Sequence, residues 1–258
     1  MVERQYRLRE DQAEAAVPLW QEALFGVELL LLRAAPAYYG LGVPRGDGSA
    51  VVVIPGFLGT DLYLMEMYAW LRRIGYSPYF SGIGLNAECP NLLISRHLNE
   101  TINKARTETG RRIHLIGHSL GGIIARSVAG QRPNDVASVI SLGAPFRGTV
   151  AHSRVLYAAE LVRKRILVQH GPGVLPDCYT GRCTCDFVDS LRRQMPTTVA
   201  ETAIYTRNDG VVDWNYCITG DPAIDFEVQG THIGLAFNPT VYALIATRLK
   251  TGDRRNVS

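Results

Sequence analysis

Apolar residues recur at steps of three and four along the first part of the chain. The positions are Ala16, Trp20, Ala23, Leu24, Val27, Leu30, Leu31 and Ala34. This spacing places the side chains on one face of a helix. Because Pro36 follows and proline does not continue a helix, the pattern predicts an amphipathic helix over roughly residues 12–35.

Beyond this helix, strand-like runs and helical patterns alternate. An apolar run predicts a buried strand at 50–54. Apolar strand-like runs lie at 113–116 and 136–142, and further strand-like segments lie near residue 204 and at 226–228. Helical periodicity appears at 62–74, 91–109 and 240–249. Alternation of this kind indicates a parallel sheet that is covered by helices on both faces. We therefore expect an α/β fold in a single domain that spans residues 1–258.

The long interval between the strands near 142 and 204 predicts a partly helical cap or lid over about 150–200. It contains an apolar set that could cover a pocket: Leu156, Tyr157, Leu161, Val162, Ile166, Leu167 and Val168. Together with the N-terminal helix, this set suggests an apolar substrate. The simpler expectation, which we favour, is that both stripes complete the core.

Composition and charge narrow the function classes. The chain has 258 residues, 47% of them hydrophobic, which is typical of a globular protein with one large core. Its net charge is only +3 and the arginines are scattered, so we expect no nucleic-acid partner. The apolar stretch 23–32 contains Glu28 and is shorter than the roughly 20 residues of a transmembrane helix. The charged N-terminus lacks a signal-peptide pattern, so we expect a cytoplasmic protein, or a secreted one if a leader has been removed.

A glycine-flanked serine follows the strand predicted at 113–116. The pentapeptide Gly-His-Ser-Leu-Gly occupies 117–121, and a helical pattern begins immediately after it. A nucleophile elbow of the G-x-S-x-G type requires this strand–turn–helix context. Gly117 and Gly121 permit a tight turn that exposes the Ser119 hydroxyl, and the N-terminus of the next helix favours developing negative charge. We therefore predict Ser119 as a catalytic nucleophile.

A serine nucleophile needs a histidine base and an orienting acid, in the chain order Ser, Asp, His. Among the six histidines only His232 follows plausible acids, and it lies in a glycine-flanked loop after a predicted strand. Asp209 directly follows the strand near 204 and is our candidate acid. Asp213 is the next choice, and Asp221 and Asp225 are weaker alternatives.

The backbone amides that would bind an oxyanion can also be assigned. The segment Ile-Pro-Gly-Phe over 54–57 ends the first predicted strand, and the Phe57 N–H is the expected donor of the first loop. Leu120, which follows the nucleophile, supplies the second N–H. The alternative for Phe57 is an ordinary core aromatic.

These segments resemble the α/β-hydrolase superfamily and, within it, the bacterial triacylglycerol lipases and carboxylesterases. The resemblance rests on IPGFLGTD at 54–61, GHSLGG at 117–122 and GAPFRGT at 143–149. It implies a central sheet of about six mainly parallel strands with a cap or lid insertion. In those lipases the first segment usually begins His-Gly, whereas Pro55 stands here in place of the histidine. They often carry calcium, but no matching aspartate pair is evident, so we assign no metal and expect no cofactor.

The expected function is cleavage of a carboxylic ester, small or lipid-like, by a Ser119–His232–Asp209 triad through an acyl-enzyme. The same triad serves polyester depolymerases, thioesterases and acyltransferases, because only the entering nucleophile or the substrate differs. From another class, a non-catalytic ligand-binding protein on the same fold stays open. Acyl chain length and oligomeric state are not indicated by the sequence.

Three of the five cysteines fall in one short segment, at Cys178, Cys183 and Cys185. One interpretation is a disulfide or a metal site, completed by Cys217. The CxxxxCxC spacing lacks the paired CxxC motifs typical of zinc sites. The other interpretation is a loop of reduced thiols, the usual state of cysteines in the cytosol.

Overall fold

The computed structural model describes residues 18–148, 151–171, 177–179 and 183–254. Within these residues, six strands form one parallel sheet in the order β2-β1-β3-β4-β5-β6. The strands are β1 Ala50–Ile54, β2 Ser77–Phe80, β3 Ile113–His118, β4 Val136–Leu142, β5 Ala200–Tyr205 and β6 Asp225–Glu227. The α/β prediction with a mainly parallel sheet of about six strands is confirmed.

The sheet is covered by helices on both faces. They are α1 Phe25–Ala34, α2 Met65–Arg73, α3 Pro90–Leu93, α4 Asn99–Thr109, α5 Leu120–Gln131, α6 Ser153–His170, α7 Asp186–Arg192 and α8 Pro239–Arg254. A π-helical segment, Ile94–Leu98, joins α3 to α4. Nowhere in the described ranges does a helix combine the length and apolar character that a membrane crossing requires.

Side chains of each strand alternate between two apolar cores. In β1, Val52 and Ile54 pack with α4 and α5, whereas Val51 and Val53 pack with α2 and α8 on the other face. This two-sided burial explains why β1 is an uninterrupted apolar run. Strand β2 escaped the sequence analysis because it contains Pro78 and lies at the edge of the sheet, where a strand can dispense with one amide donor.

The N-terminal helical region presents its apolar face to solvent. A 3₁₀ helix, Leu19–Leu24, continues into α1, and residues 12–17 of the predicted helix lie outside the described part of the chain. Trp20 and Leu30 are 69% and 67% exposed, whereas Glu22 is only 4% exposed. The expectation that this apolar stripe completes the core is therefore wrong. Acidic side chains occupy the inner face instead, for a reason that the loop around His232 makes clear.

The predicted cap interval contains α6 and α7. Val162 and Ile166 of α6 are buried, as expected for residues that complete the core. The other apolar residues of α6 that were expected there are exposed: Leu156, Tyr157, Leu161, Leu167 and Val168. Helix α7 packs against α5, where the hydroxyls of Ser127 and Ser190 lie 2.7 Å apart.

Candidate active site

Ser119 occupies a strained turn between β3 and α5. Its φ angle is +53°, a conformation that non-glycine residues adopt rarely. The turn is closely packed: a Cβ atom at Gly117 would lie 2.2 Å from the Gly121 carbonyl oxygen, and one at Gly121 would lie 2.2 Å from the Ile54 carbonyl oxygen. The Ser119 N–H donates to the Leu142 carbonyl at 2.8 Å. Glycines at both positions therefore let the chain turn sharply at the carboxyl end of the sheet.

The structure brings His232 and Asp209 together from the loops that follow β6 and β5. His232 Nδ1 lies 2.6 Å from Asp209 Oδ2, and both side chains are almost fully buried. The other carboxyl oxygen of Asp209 accepts the N–H groups of Val211 and Val212 at 2.9 and 2.8 Å. The carboxylate is thus oriented by its own loop and holds one nitrogen of the imidazole.

The other three candidate acids make local contacts. Asp213 accepts the backbone and side-chain N–H groups of Asn215 at the start of a short 3₁₀ helix. Asp221 accepts the Ala223 N–H, and Asp225 accepts those of Thr219 and Gly220. Each of these carboxylates stabilises a turn, and it is Asp209 that contacts His232.

The charge balance around His232 favours its protonated form. Burial acts to lower the pKa of the imidazole, but the charge and hydrogen bond of Asp209 and the charge of Glu22 outweigh it, so the pKa is raised above the ordinary 6.5. A raised pKa is suited to a group that must accept a proton during a reaction.

Two acidic residues of the N-terminal region hold the His232 loop, and sequence reasoning missed their role. Glu22 Oε1 accepts the N–H groups of Gly210 and His232 at 2.9 and 3.1 Å, and its Oε2 accepts that of Ile233 at 2.8 Å. Glu28 accepts both the N–H and the hydroxyl of Thr231, at 2.9 and 2.7 Å. The sequence did contain a signal for this role, because both glutamates lie within an apolar helical pattern. A carboxylate in such a place faces either solvent or buried hydrogen-bond donors.

His118, the residue before the serine, supports His232 from the other side. Its Nε2 donates to the His232 carbonyl oxygen at 2.9 Å, and the two rings lie 4.8 Å apart. Burial and the neighbouring His232 lower the pKa of His118 to about 3. His118 is therefore neutral near pH 7 and adds no charge that would oppose protonation of His232.

The loop after β1 approaches Ser119 closely. A Cβ atom at Gly56 would lie 3.1 Å from the Ser119 Cβ, so the backbone immediately before Phe57 passes close to the serine. Leu58 has a φ of +59° and donates its N–H to the Asn86 carbonyl at 2.9 Å, which fixes the bend of this loop. The amide of Leu120 opens α5 directly after the serine. Phe57 and Leu120, the residues predicted to donate to an oxyanion, both line the cavity that Ser119 lines.

Parts of the chain are similar in sequence to a family of thioesterases and to bacterial lipases. Residues 80–207 match the model of the family described as palmitoyl protein thioesterase. A triacylglycerol lipase of Burkholderia plantarii is 28% identical over 134 residues, which are 49% of this chain and 37% of that protein. Another, from Pseudarthrobacter phenanthrenivorans, is 30% identical over 107 residues, which are 38% of this chain and 34% of that protein. The matches therefore span little more than a third of these relatives' length.

Solved structures agree with these sequence matches. A monoglyceride lipase from Saccharomyces cerevisiae superimposes with a TM-score of 0.51 at 15% identity, covering 84% of this chain and 91% of that one. An α/β-hydrolase enzyme from the metagenome of Mar Chica lagoon sediments gives 0.52 at 16% identity, covering 81% and 94%. The chain has the α/β-hydrolase fold. Its resemblance to the bacterial triacylglycerol lipases, noted in the sequence, is confirmed.

In this α/β-hydrolase fold, one cavity of about 560 Å³ adjoins the serine and the histidine. It is lined by Ser119 and His232 and, beside them, by Gly56, Phe57 and Leu120. Its walls are mainly apolar and include Leu19, Ile123, Val155, Leu156, Tyr179 and Val212. The volume lies in the range of small-molecule binding sites, and the wall chemistry suits an apolar group.

A cluster of cysteines is the potential metal-ligand set within the described ranges of this α/β-hydrolase. The sulfur atoms of Cys178, Cys183 and Cys185 lie within 4.8 Å of one another. Cys217, which the sequence left open as a further member of this set, is buried elsewhere, with its sulfur near the Asp213 carbonyl. The cysteine that does join is Cys89, whose sulfur is 3.7 Å from that of Cys178.

Proposed function

We propose that this chain is a serine hydrolase that cleaves carboxylic esters with apolar acyl groups, using Ser119, His232 and Asp209. The observation that carries the proposal is the 2.6 Å contact between Asp209 and His232, together with the fact that His232 lines the same cavity as the strained Ser119 turn. The likeness to lipases and esterases supports ester hydrolysis in general.

The catalytic roles follow from which nitrogen of His232 each neighbouring residue contacts. Asp209 engages Nδ1 of His232 and so leaves Nε2 to accept the Ser119 proton as the serine oxygen attacks the ester carbonyl. The protonated imidazole, stabilised by Asp209, then donates this proton to the leaving alkoxide. An acyl-enzyme forms, and water activated by the same imidazole releases the acid and restores the serine.

The negative charge that develops on the carbonyl oxygen would be bound by the N–H groups of Phe57 and Leu120. Each such donor contributes about 3 kcal/mol to the transition state in other hydrolases. The Leu58–Asn86 and Gly59–Gly56 backbone hydrogen bonds hold the first donor loop in place before substrate arrives. The donors would therefore need little rearrangement during the reaction.

The test is a chain-length series of p-nitrophenyl esters with the wild type and Ser119→Ala, together with a fluorophosphonate probe. We expect hydrolysis and covalent labelling in the wild type and neither in Ser119→Ala. Equal turnover in both proteins would refute the role of Ser119. Absence of both turnover and labelling in folded wild type would favour a non-catalytic binding protein instead.

A second candidate is thioester hydrolysis, favoured by the match of residues 80–207 to the palmitoyl protein thioesterase model. The chemistry at Ser119 would be the same, since only the leaving atom differs. Palmitoyl-CoA and p-nitrophenyl palmitate, compared at equal concentration, separate the two: a higher kcat/KM for the thioester, lost in Ser119→Ala, would favour this candidate. Polyester and acyl-acceptor substrates belong in the same comparison.

A further inference from the structure

Three cysteine sulfurs cluster beside the cavity, and the sulfur of a fourth cysteine, from a distant segment of the chain, contacts one of them. Cys178 lies at the centre: its sulfur is 3.3 Å from that of Cys185 and 3.7 Å from that of Cys89. The sulfurs of Cys178, Cys183 and Cys185 all lie within 4.8 Å of one another, and Cys89 reaches this set through its contact with Cys178. Three of the four side chains are buried, and Cys185 is half-buried.

We propose that these four cysteines form a structural zinc site, in which Cys178, Cys183 and Cys185 bind the ion and Cys89 is the fourth ligand. A tetrahedral Zn²⁺ with Zn–S bonds of about 2.3 Å has sulfur atoms about 3.8 Å apart. The contacts of 3.3 and 3.7 Å at Cys178 are close to this spacing. Binding would replace four S–H bonds by four Zn–S bonds and release four protons to solvent, with no change of oxidation state.

Disulfides account for this arrangement less well. Because the sulfur of Cys178 contacts two others, a disulfide to either Cys89 or Cys185 would leave two further thiols packed against it. Cys183 and Cys185 are separated by a single residue. One thiophilic ion instead uses all four sulfurs at once and needs no oxidant. Their burial matches the closed coordination of structural rather than catalytic zinc.

A cation lies near the proposed zinc–thiolate group. Four thiolates and one Zn²⁺ carry a net charge of −2, which is costly to bury without a cation nearby. The guanidinium of Arg165 donates to the Ala87 carbonyl, two residues before Cys89. It therefore places a positive charge on the segment that carries the fourth ligand, where the Glu88 carboxylate accepts the Cys89 N–H and contacts His170.

The site would join the cap interval to the segment around Cys89, beside the loop that carries Phe57. Tyr179, next to Cys178, donates its hydroxyl to the Glu88 carbonyl at 2.8 Å, and its ring meets that of Phe57 edge-on at 5.8 Å. Cys178 and Tyr179 both line the cavity. An ion here would thus fix one wall of the cavity against the body of the fold.

The experiment measures metal directly and does not depend on the proposed function. The full chain is expressed in zinc-supplemented medium and purified without chelators, and its zinc content is measured by mass spectrometry. We expect about one zinc per chain in the wild type and in Cys217→Ser, whose buried cysteine lies outside the cluster. We expect little or none in Cys185→Ser.

Cobalt gives a second reading on wild-type protein and guards against variants that fail to fold. Chelator-treated, reduced wild type titrated with Co²⁺ should develop the intense visible absorption of tetrahedral cobalt thiolate and regain a Tm higher by roughly 5 °C or more. In Cys89→Ser the absorption should shift and weaken.

Three results would overturn the proposal. One is reduced wild type that takes up neither zinc nor cobalt. Another is a zinc content in Cys185→Ser equal to that of the wild type. The third is a native disulfide among the four cysteines, detected by intact mass after rapid alkylation. An unchanged cobalt spectrum in Cys89→Ser would refute its assignment as the fourth ligand.

Discussion

Removal of the Glu22 carboxyl group is the perturbation that most directly tests how the His232 loop is held. Glu22 is 4% exposed and accepts three backbone N–H groups, those of Gly210, His232 and Ile233. Two of these amides lie on the loop of the candidate base, and the third adjoins Asp209. Glu22→Ala leaves all three donors without this acceptor.

The structure sets the size of the effect. A hydrogen bond to a charged acceptor contributes about 1.5 to 3 kcal/mol, so three would sum to roughly 4.5 to 9 kcal/mol. Loop relaxation and entering water recover part of this, and we expect Glu22→Ala to lower the free energy of unfolding by about 4 kcal/mol. Glu22→Gln keeps one acceptor oxygen and should lose about half as much.

Glu22 also acts on His232 through its charge, and this effect on the pKa of His232 can be measured separately from the loss of stability. The charge of Glu22 is one of the causes that raise the pKa of His232, and the proposed base must be neutral to accept a proton. In Glu22→Gln that pKa falls, so the acidic limb of the kcat/KM profile should move to lower pH while kcat itself decreases.

The assay combines urea unfolding with the pH dependence of ester hydrolysis for wild type, Glu22→Gln and the exposed control Glu100→Gln. The control should stay within about 0.5 kcal/mol of wild type and keep its pH profile. If Glu22→Gln behaves like Glu100→Gln in both measurements, the inference that Glu22 holds and polarises the His232 loop is refuted. A loss of stability with an unmoved acidic limb would leave only the structural role.

The remaining predictions concern the elbow and the acid. Gly121→Ala should prevent folding or cost several kcal/mol of stability in a thermal melt, because its Cβ would lie 2.2 Å from a carbonyl oxygen. In the control Gly26→Ala, the new Cβ has no atom within 4 Å, so this variant should be neutral or more stable by up to about 1 kcal/mol. Similar melts for the two variants would contradict the packing argument. Asp209→Asn should lower kcat by about 10⁴-fold with only a small effect for Asp213→Asn, and the reverse order would transfer the acid role. The wild-type kcat/KM should fall as pH decreases through a midpoint above 6.5, since the pKa of His232 is raised; a midpoint below 6.5 would refute this.

Local patterns were sufficient for the centre of the fold. The runs that became β1, β3 and β4 are mainly apolar because both of their faces are buried, and such runs are visible in sequence. The strand–Ser119–helix context is equally local. Asp209 was selected over Asp213 by its position at a strand end, and the structure places it 2.6 Å from His232.

Features that depend on long-range contacts could not be derived in this way. The sulfur contact between Cys89 and Cys178 joins residues 89 positions apart. Nothing in the sequence near Cys89 indicates that it, rather than Cys217, contacts the cysteine cluster. The bonds from Glu22 to the His232 loop span about 210 positions. Periodicity shows that a helix has two different faces, but it does not show which of them meets the rest of the protein.

The orientation of the N-terminal helical region shows how one contact can determine the opposite surface. The loops at the carboxyl end of the sheet present buried N–H groups at Gly210, Thr231, His232 and Ile233, and each needs an acceptor. Glu22 and Glu28 meet that need only if their side of the helix faces inward, so the apolar side must face outward. The exposed stripe is therefore explained by support of the His232 loop and is not independent evidence for a lipid substrate. The proposal of an apolar acyl group rests on the walls of the 560 Å³ cavity beside Ser119.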